Sequence, residues 1–151
     1  MSDLIPKEPL PDVLLVEADR AIRFTLQALL EEMGTKVVTC PTAEDALAVL
    51  ASRAWTMVIC DLSLSVGAVG LEVARATLLR FPKTHVLATG VSKECASTLM
   101  NEGIRCLLPP WTAGDFCQAV SYRLSSAANE KSLDTYATKY RSLNQSDRCT
   151  G

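Results

Sequence analysis

Met57-Val58-Ile59-Cys60-Asp61 is the stretch that decides the fold: four apolar residues in a row, closed by a single acid. An apolar run of this length is typical of a strand covered on both faces, because a half-exposed strand alternates apolar and polar residues. Strands that alternate with helices over short links imply parallel pairing through right-handed crossovers. The chain is therefore predicted to form a doubly wound α/β fold around a five-stranded parallel sheet. The four other predicted strands occupy residues 13–16, 36–39, 85–89 and 104–108.

Helical patterns lie after each of these strands. The first helix is predicted over residues 20–33, with Asp19 as its N-cap and Gly34 as its stop. Its apolar stripe is expected to face the sheet and consists of Ile22, Leu26, Leu29, Leu30 and Met33. The other helices are predicted at about 42–50, 71–80, 92–101 and 112–124.

The chain of 151 residues is long enough for one domain. We predict an N-terminal arm over residues 1–11, a globular domain over 12–124 and a C-terminal tail over 125–151. The tail has the composition of a polar segment, but part of it is expected to be helical because five apolar residues fall at helical spacing. This stripe predicts a partner or homodimer contact, with a flexible tail as the alternative, and it comprises Leu133, Tyr136, Ala137, Tyr140 and Leu143.

Charge and composition exclude several classes of partner. The formal net charge is −2 and no run is rich in Lys or Arg, so the electrostatic footprint of a nucleic-acid or anionic-membrane binder is absent. No apolar run approaches the roughly 18 residues of a membrane span, and the first 11 residues are polar and proline-rich instead of a signal peptide. We therefore expect a cytoplasmic protein.

Six cysteines are scattered along the chain without a C-x-x-C pair, and the single histidine, His85, completes no metal-ligand set with them. The bland interpretation is that they are small apolar residues in a reducing compartment. The sequence predicts neither a disulfide framework nor a zinc site.

Acids follow two strands that this topology places side by side. Glu17 and Asp19 follow the first strand, and Asp61 closes the third. Ligands of doubly wound sheets bind at the carboxyl ends of the strands, where Thr89 would add a hydroxyl group. Because Mg²⁺ prefers oxygen ligands and keeps several waters, the cluster is a candidate magnesium site.

Over about residues 12–124 the sequence resembles the receiver domain of two-component response regulators. The resemblance follows the order of the family's motifs along the whole domain. The matching residues are Val13-Leu14-Leu15-Val16 running into acids, Ile22-Arg23, Val58-Ile59-Cys60-Asp61-Leu62, Gly70-Leu71-Glu72, Thr89-Gly90, and Gly103 before a last strand that ends in Pro110-Trp111.

The resemblance implies a role for each matching site residue. Asp61 would accept a phosphoryl group from a sensor histidine kinase or a phosphotransfer protein, and Thr89 would supply the switch hydroxyl. Mg²⁺ would be held by Glu17, Asp61 and the backbone carbonyl of Ser63, with Asp19 as a further acid that stands one position late in the motif.

The sequence departs from the family at four places. The second acid of the metal-binding pair aligns with Ala18, the lysine before the last proline aligns with Pro109, and the aromatic switch residue aligns with Cys106. Because Ala18 replaces an acidic ligand, Mg²⁺ binding is expected to be weak. Phosphoryl transfer depends on cations that neutralise the phosphoryl oxygens, so losing this ligand and the lysine should reduce that stabilisation. The loop after Asp61 also lacks the expected proline near Ser65.

Three functions remain open on these residues. The first is a stand-alone response regulator that is phosphorylated on Asp61, and the second is a degenerate receiver that binds proteins independently of phosphorylation. The third, a small α/β enzyme, lacks a nucleophile-base pair and a cofactor fingerprint, so we expect no enzyme. The downstream partner is expected on the fourth helix, last strand and fifth helix, around residues 91–100, Cys106 and residues 111–120.

Overall fold

The computed structural model describes residues 9–63 and 69–125. Within them, strands and helices alternate along the chain as predicted. The elements are β1 (Asp12–Val16), α1 (Arg20–Glu32), β2 (Lys36–Cys40), α2 (Ala43–Leu50), β3 (Met57–Asp61), α3 (Val69–Arg80), β4 (His85–Thr89), α4 (Lys93–Asn101), β5 (Arg105–Cys106) and α5 (Ala113–Leu124).

The five strands form one sheet in the order β2-β1-β3-β4-β5, and every neighbouring pair is parallel. The predicted doubly wound α/β fold is confirmed. The chain runs outward from β1 to β2 and then returns to place β3 on the other side of β1. The order therefore reverses between β1 and β3, and in such sheets ligands bind beside the carboxyl ends of the strands at that point.

Helices cover both faces of the sheet. Alternate residues of β1 point to opposite faces, as the two-residue repeat of a strand requires. Val13 and Leu15 join a core with buried residues of α1 and α5. Leu14 and Val16 join a second core with buried residues of α2, α3 and α4. The apolar runs of the sequence thus reflect strands buried on both faces.

Side-chain caps start three of the helices where the sequence predicts them. The Asp19 carboxylate accepts a hydrogen bond from the backbone N–H of Ile22 at 2.9 Å. Thr42 caps α2 by accepting from the backbone N–H of Asp45. A complete capping box starts α5, in which the Thr112 and Asp115 side chains each accept from the other's backbone N–H at 3.1 and 2.9 Å.

The structure corrects the prediction at the last strand and on the first helix. β5 contains only Arg105 and Cys106, instead of the five residues 104–108. Ile22 is 43% exposed, so it does not belong to the buried stripe of α1. Phe24, for which a partly buried ring is the simpler expectation, is 74% exposed. Ile22 lies in the first turn of α1, beyond the edge of the core that Leu26 and Leu30 enter. Phe24, two residues before Leu26, lies on the opposite, solvent-facing side of the helix.

Several predictions lie outside the described residues. These are most of the N-terminal arm 1–11, nearly all of the tail 125–151 with its apolar stripe, and the loop residues 64–68, including Ser65. Among residues 9–63 and 69–125, no helix is long and apolar enough to cross a membrane.

Candidate functional site

Asp61 is the last residue of β3 and stands at the carboxyl edge of the sheet, where the strand order reverses. Its neighbour in the register of β4 is Thr89, and the preceding Cys60 pairs with Val16, the last residue of β1. The side chain of Asp61 is half-buried. The topology thus brings the ends of β1, β3 and β4 to one point around this carboxylate.

Glu17 follows β1, the strand that pairs with β3, and its side chain forms a hydrogen bond with Asp61. On the other side of β1, its backbone N–H donates to the Cys40 carbonyl of β2 at 3.1 Å. Its side chain is 5% exposed, and its Oε2 atom has no hydrogen-bond partner. Burial, followed by a hydrogen bond and charge repulsion from Asp61, raises the pKa of Glu17 to about 8. At neutral pH Glu17 therefore holds the proton that the two carboxyl groups share.

The pKa of Asp61 is shifted in the opposite direction from that of Glu17. Burial acts to raise its pKa, but hydrogen bonds from Glu17 and Ser63 outweigh burial and hold that pKa below its ordinary value. Asp61 is consequently an ionised carboxylate at neutral pH. The site contains one neutral acid and one charged acid, set apart by their surroundings.

Ser63 fixes the orientation of the Asp61 carboxylate. Its backbone N–H and its hydroxyl group both donate to Oδ1 of Asp61, at 2.9 and 2.7 Å. The sequence assigned Ser63 a different task, that of a backbone carbonyl ligand for a cation, and this role stays a prediction. The two donors form a local turn that was not foreseen.

Thr89 and Gly90 form the wall of the site on the β4 side. Thr89 is buried, and its carbonyl accepts from the Leu62 backbone N–H at 2.8 Å, which ties the end of β3 to the end of β4. Gly90 has a φ of +67° and lies so close to Asp61 that a Cβ atom there would overlap Oδ1. Glycine is required at this position both by the backbone angle and by the space that the carboxylate occupies.

The β1–α1 loop carries the remaining acid, Asp19. Its carboxylate caps α1, as described above, and both Asp19 and Ala18 are exposed. Arg23 reaches back from α1, and its Nη1 atom donates to the carbonyls of Glu17 and Ala18 at 2.9 and 3.1 Å. Arg23 therefore holds the loop and places a guanidinium group beside the site.

The donor set fits a divalent cation, but only with two carboxylates. Glu17 offers a buried oxygen without a hydrogen-bond partner, and Asp61 offers an ionised carboxylate. Both are hard oxygen ligands, but Glu17 must release its proton when the ion binds. Across the described ranges, no group of three or more His, Cys, Asp or Glu side chains is arranged to hold a metal ion. The residues thus suit Mg²⁺ that keeps most of its water, and the weak binding expected from Ala18 stays a prediction.

The turn after β5 lacks a cation. Pro109 is exposed, and the Pro109-Pro110 peptide bond is cis. The Cys106 thiol is buried and lies 3.7 Å from the Ile104 carbonyl, and its pKa is raised to about 11, first by burial. No large ring stands at this position to move between buried and exposed states.

Sequence reasoning missed the tasks of three residues. Arg23 and Gly90 match the family pattern, but the pattern assigned them no role. The only available signals were that Gly90 directly follows Thr89 and that Arg23 lies six residues after Glu17. Gly70 is the third, since a Cβ there would stand 2.8 Å from the Asp61 carbonyl. Its closeness to β3 was not visible before α3 was placed.

Comparisons with known proteins agree with this geometry. A family model described as the response regulator receiver domain matches residues 13–120. No curated protein matches the sequence.

Three solved structures show the same fold. A response regulator receiver domain protein from Clostridium thermocellum is 23% identical, with a TM-score of 0.68 over 78% of this chain and 97% of its own. The receiver domain of an HD domain-containing protein from Pseudomonas fluorescens Pf-5 is 26% identical, with a TM-score of 0.67 and coverage of 78% and 96%. A CheY-like receiver domain protein from Methanospirillum hungatei JF-1 is 20% identical, with a TM-score of 0.66 and coverage of 86% and 98%.

The family match spans most of the chain, and the structure places an acid at the end of the third strand of the expected sheet. The chain therefore belongs to the response regulator receiver domain family of two-component signalling.

Proposed function

We propose that this receiver accepts a phosphoryl group on Asp61 from a sensor histidine kinase or a phosphotransfer protein. The observation that carries the proposal is the state of Asp61: an ionised carboxylate, held by two donors from Ser63, at the switch point of the sheet. In the transfer, a carboxylate oxygen of Asp61 forms the new P–O bond while the P–N bond of the phosphohistidine breaks. The product is an acyl phosphate on Asp61 and a free imidazole on the donor.

Each neighbouring residue has a task in this step. Ser63 keeps the carboxylate oriented, and Gly90 leaves open the space beside it. Thr89, which pairs with Asp61 in the register of the sheet, would donate its hydroxyl to the phosphoryl group after transfer. Positioning of this kind supplies much of the catalysis of phosphoryl transfer.

Receiver domains bind Mg²⁺ at an acidic pocket, and in this chain Glu17 and Asp61 would hold the ion. When bound, it would neutralise charge that develops on the phosphoryl oxygens. Ala18 and Pro109 remove an acid and a cation that the family places around the phosphoryl group. We propose that transfer is slow for this reason. Asp19 could serve as a further ligand only by giving up the hydrogen bond from the Ile22 backbone N–H that caps α1.

The output is proposed to be a change of protein partner instead of turnover of a substrate. A cleft of about 470 Å³ begins beside Asp61 and runs between α3 and α4, so α4 would be the element that links a phosphoryl group on Asp61 to the output face. We propose that a downstream protein binds the face formed by α4, β5 and α5. The cleft is lined in part by Leu62, Gly90, Val91, Ser92, Cys95 and Thr98.

A second candidate function is a binding module that does not depend on phosphorylation. It is favoured by the uncharged residues Ala18 and Pro109 and by the small, buried Cys106, which removes the ring that would report the state of the site. On this alternative, the same α4, β5 and α5 face would be constitutively competent.

Intact-mass measurement after incubation with acetyl phosphate and Mg²⁺ separates the two functions. Wild type and an Asp45→Asn control, which removes an exposed acid from α2, are expected to gain one phosphoryl group. Asp61→Asn is expected to gain none. If wild type gains no adduct although a cooperative melting transition shows that it is folded, phosphorylation on Asp61 is overturned. The constitutive binding module would then be the remaining function.

A further inference from the structure

A second cleft lies at the opposite end of the sheet from Asp61. It opens where β4 and β5 begin and has a volume of about 440 Å³. His85, at its rim, and Thr89, at the phosphoryl-acceptor site, are the first and last residues of the same strand, about 13 Å apart along it. We call it the basal cleft and define it by Leu78, Pro82, Lys83, His85, Arg105 and Arg123.

The charge of the basal cleft is opposite to that of the whole chain. Three permanent cations, Lys83, Arg105 and Arg123, line it, although the chain carries a formal net charge of −2. Lys83 and Arg105 form no salt bridge with any other residue of the two described segments. The cations come from the α3–β4 loop, β5 and the end of α5, so the fold gathers them from three separate places.

The carboxylate at the rim of the cleft does not cancel these charges. Glu102 is bound by Arg75 from α3 in a two-pronged ion pair, with hydrogen bonds of 3.0 and 2.9 Å. This pairing lowers the pKa of Glu102 and commits both of its oxygens to a cation outside the cleft. Burial lowers the pKa of His85, so its imidazole is neutral at pH 7 and adds a polar group without charge.

The size and lining of the cleft indicate the class of ligand. A volume of this order accommodates a small organic molecule. The apolar residues Leu78 and Val86 supply a floor, and the two arginines supply planar donors that match the geometry of phosphate oxygens. A nucleic acid would need a basic surface far more extended than one cleft.

We propose that the basal cleft binds a small, free phosphorylated metabolite that carries at least two negative charges. The binding site is distinct from Asp61 and does not depend on phosphorylation of that residue. Because the cleft is lined by the end of α3, β4, β5 and the end of α5, bound ligand would stabilise the half of the sheet that includes the proposed output face.

Isothermal titration calorimetry with inorganic pyrophosphate tests the proposal. The buffer contains EDTA and no Mg²⁺, so that the acidic site does not contribute, and the full chain is used. Wild type and Asp61→Asn are expected to bind equally. Lys83→Gln and Arg105→Gln are each expected to lose about fivefold or more in affinity, because each removes a charge-assisted contact. Raising the salt concentration is expected to weaken binding to wild type.

Arg20→Gln is the matched control, because it removes an exposed cation at the start of α1, near the other end of the sheet. It is expected to bind pyrophosphate like wild type. If Arg20→Gln lost as much pyrophosphate affinity as Lys83→Gln and Arg105→Gln, the effect would be one of net charge, and that result would overturn the basal cleft as a binding site. No binding heat at millimolar pyrophosphate would do the same, as would binding of vesicles rich in phosphatidylglycerol without binding of free pyrophosphate. Melting temperatures confirm that each variant is folded. If Arg105→Gln is unstable, Lys83→Gln still tests the proposal, because Lys83 is exposed and its replacement should not disturb the core.

Discussion

Gly90 lies directly against the carboxylate of Asp61, and a Cβ atom on Gly90 would overlap Oδ1 of Asp61 and stand 2.8 Å from the Ser63 amide nitrogen. The residue that follows β4 is thus in contact with the turn that follows β3. The absence of a side chain at Gly90 preserves the space around the Asp61 carboxylate.

Gly90→Ala is expected to destabilise the protein by at least about 2 kcal/mol and to prevent the phospho-adduct. The cost combines a positive φ angle, about 1 kcal/mol, with overpacking against Asp61 and Ser63, about 1–3 kcal/mol. Gly34→Ala is the matched control, since Gly34 has a φ of +85° with nothing within 4 Å of an added Cβ. Urea unfolding should show a loss of only about 1 kcal/mol there, and equal losses at both positions would contradict the crowding at Asp61.

Ser63→Ala is expected to lower the free energy of unfolding by up to about 1 kcal/mol, because one exposed hydrogen bond to Asp61 is lost while the backbone N–H remains. The adduct should still form. Ser92→Ala provides the control, since Ser92 is the N-cap of α4 but its side chain makes no capping bond. Chemical denaturation should leave this variant within about 0.5 kcal/mol of wild type. Identical behaviour of the two variants would show that the Ser63 hydroxyl does not hold the carboxylate.

Ala18→Asp is expected to strengthen Mg²⁺ binding by about tenfold, equivalent to about 1.4 kcal/mol, because it adds an oxygen ligand next to Glu17. It should also increase the rate of adduct formation from acetyl phosphate. Ala28→Asp adds the same charge at an exposed position inside α1, ten residues from Ala18, and should change neither property. Calorimetric titration with MgCl₂ measures the effect. An unchanged affinity in Ala18→Asp would mean that this position does not face the cation.

His85 is expected to make stability depend on pH at the other end of the sheet. Burial lowers the pKa of its imidazole below the ordinary value of 6.5, so the unfolded chain binds a proton more readily than the folded chain. Its contribution to stability is therefore complete above pH 6.5 and is lost as the pH falls through the folded-state pKa.

The measurement is the difference in unfolding free energy between wild type and His85→Gln from pH 5 to pH 8. Taking the difference cancels the opposite trend from Glu17, which holds its proton up to about pH 8 when folded. The advantage of wild type should shrink toward acid. A difference that stays constant with pH would show that His85 is equally basic in both states.

Much of the fold was predictable because its strands are buried on both faces. The apolar runs at β1 and β3 are continuous, and caps such as Asp19 and Thr112 act through contacts within one helical turn. β5 was predicted too long, since apolar character alone does not show where ladder hydrogen bonds stop. Ile22 was assigned to the core for a related reason: the helical period gives the direction of a side chain but not the edge of the sheet beneath it.

The sequence by itself determined the order of the elements, the parallel sheet and the convergence of Glu17, Asp61 and Thr89, since parallel strands end at one edge. Only the tertiary structure decided how those groups are used. The two donors from Ser63 and the hydrogen bonds of Arg23 depend on the conformation of the loops after β3 and β1, which apolar periodicity does not specify. The proton on Glu17 and the contact of Gly90 with Asp61 depend on distances between segments. So does the basal cleft, whose cations are far apart in the chain. Local periodicity specifies elements, whereas burial, hydrogen bonding and charge at a site arise from how those elements pack.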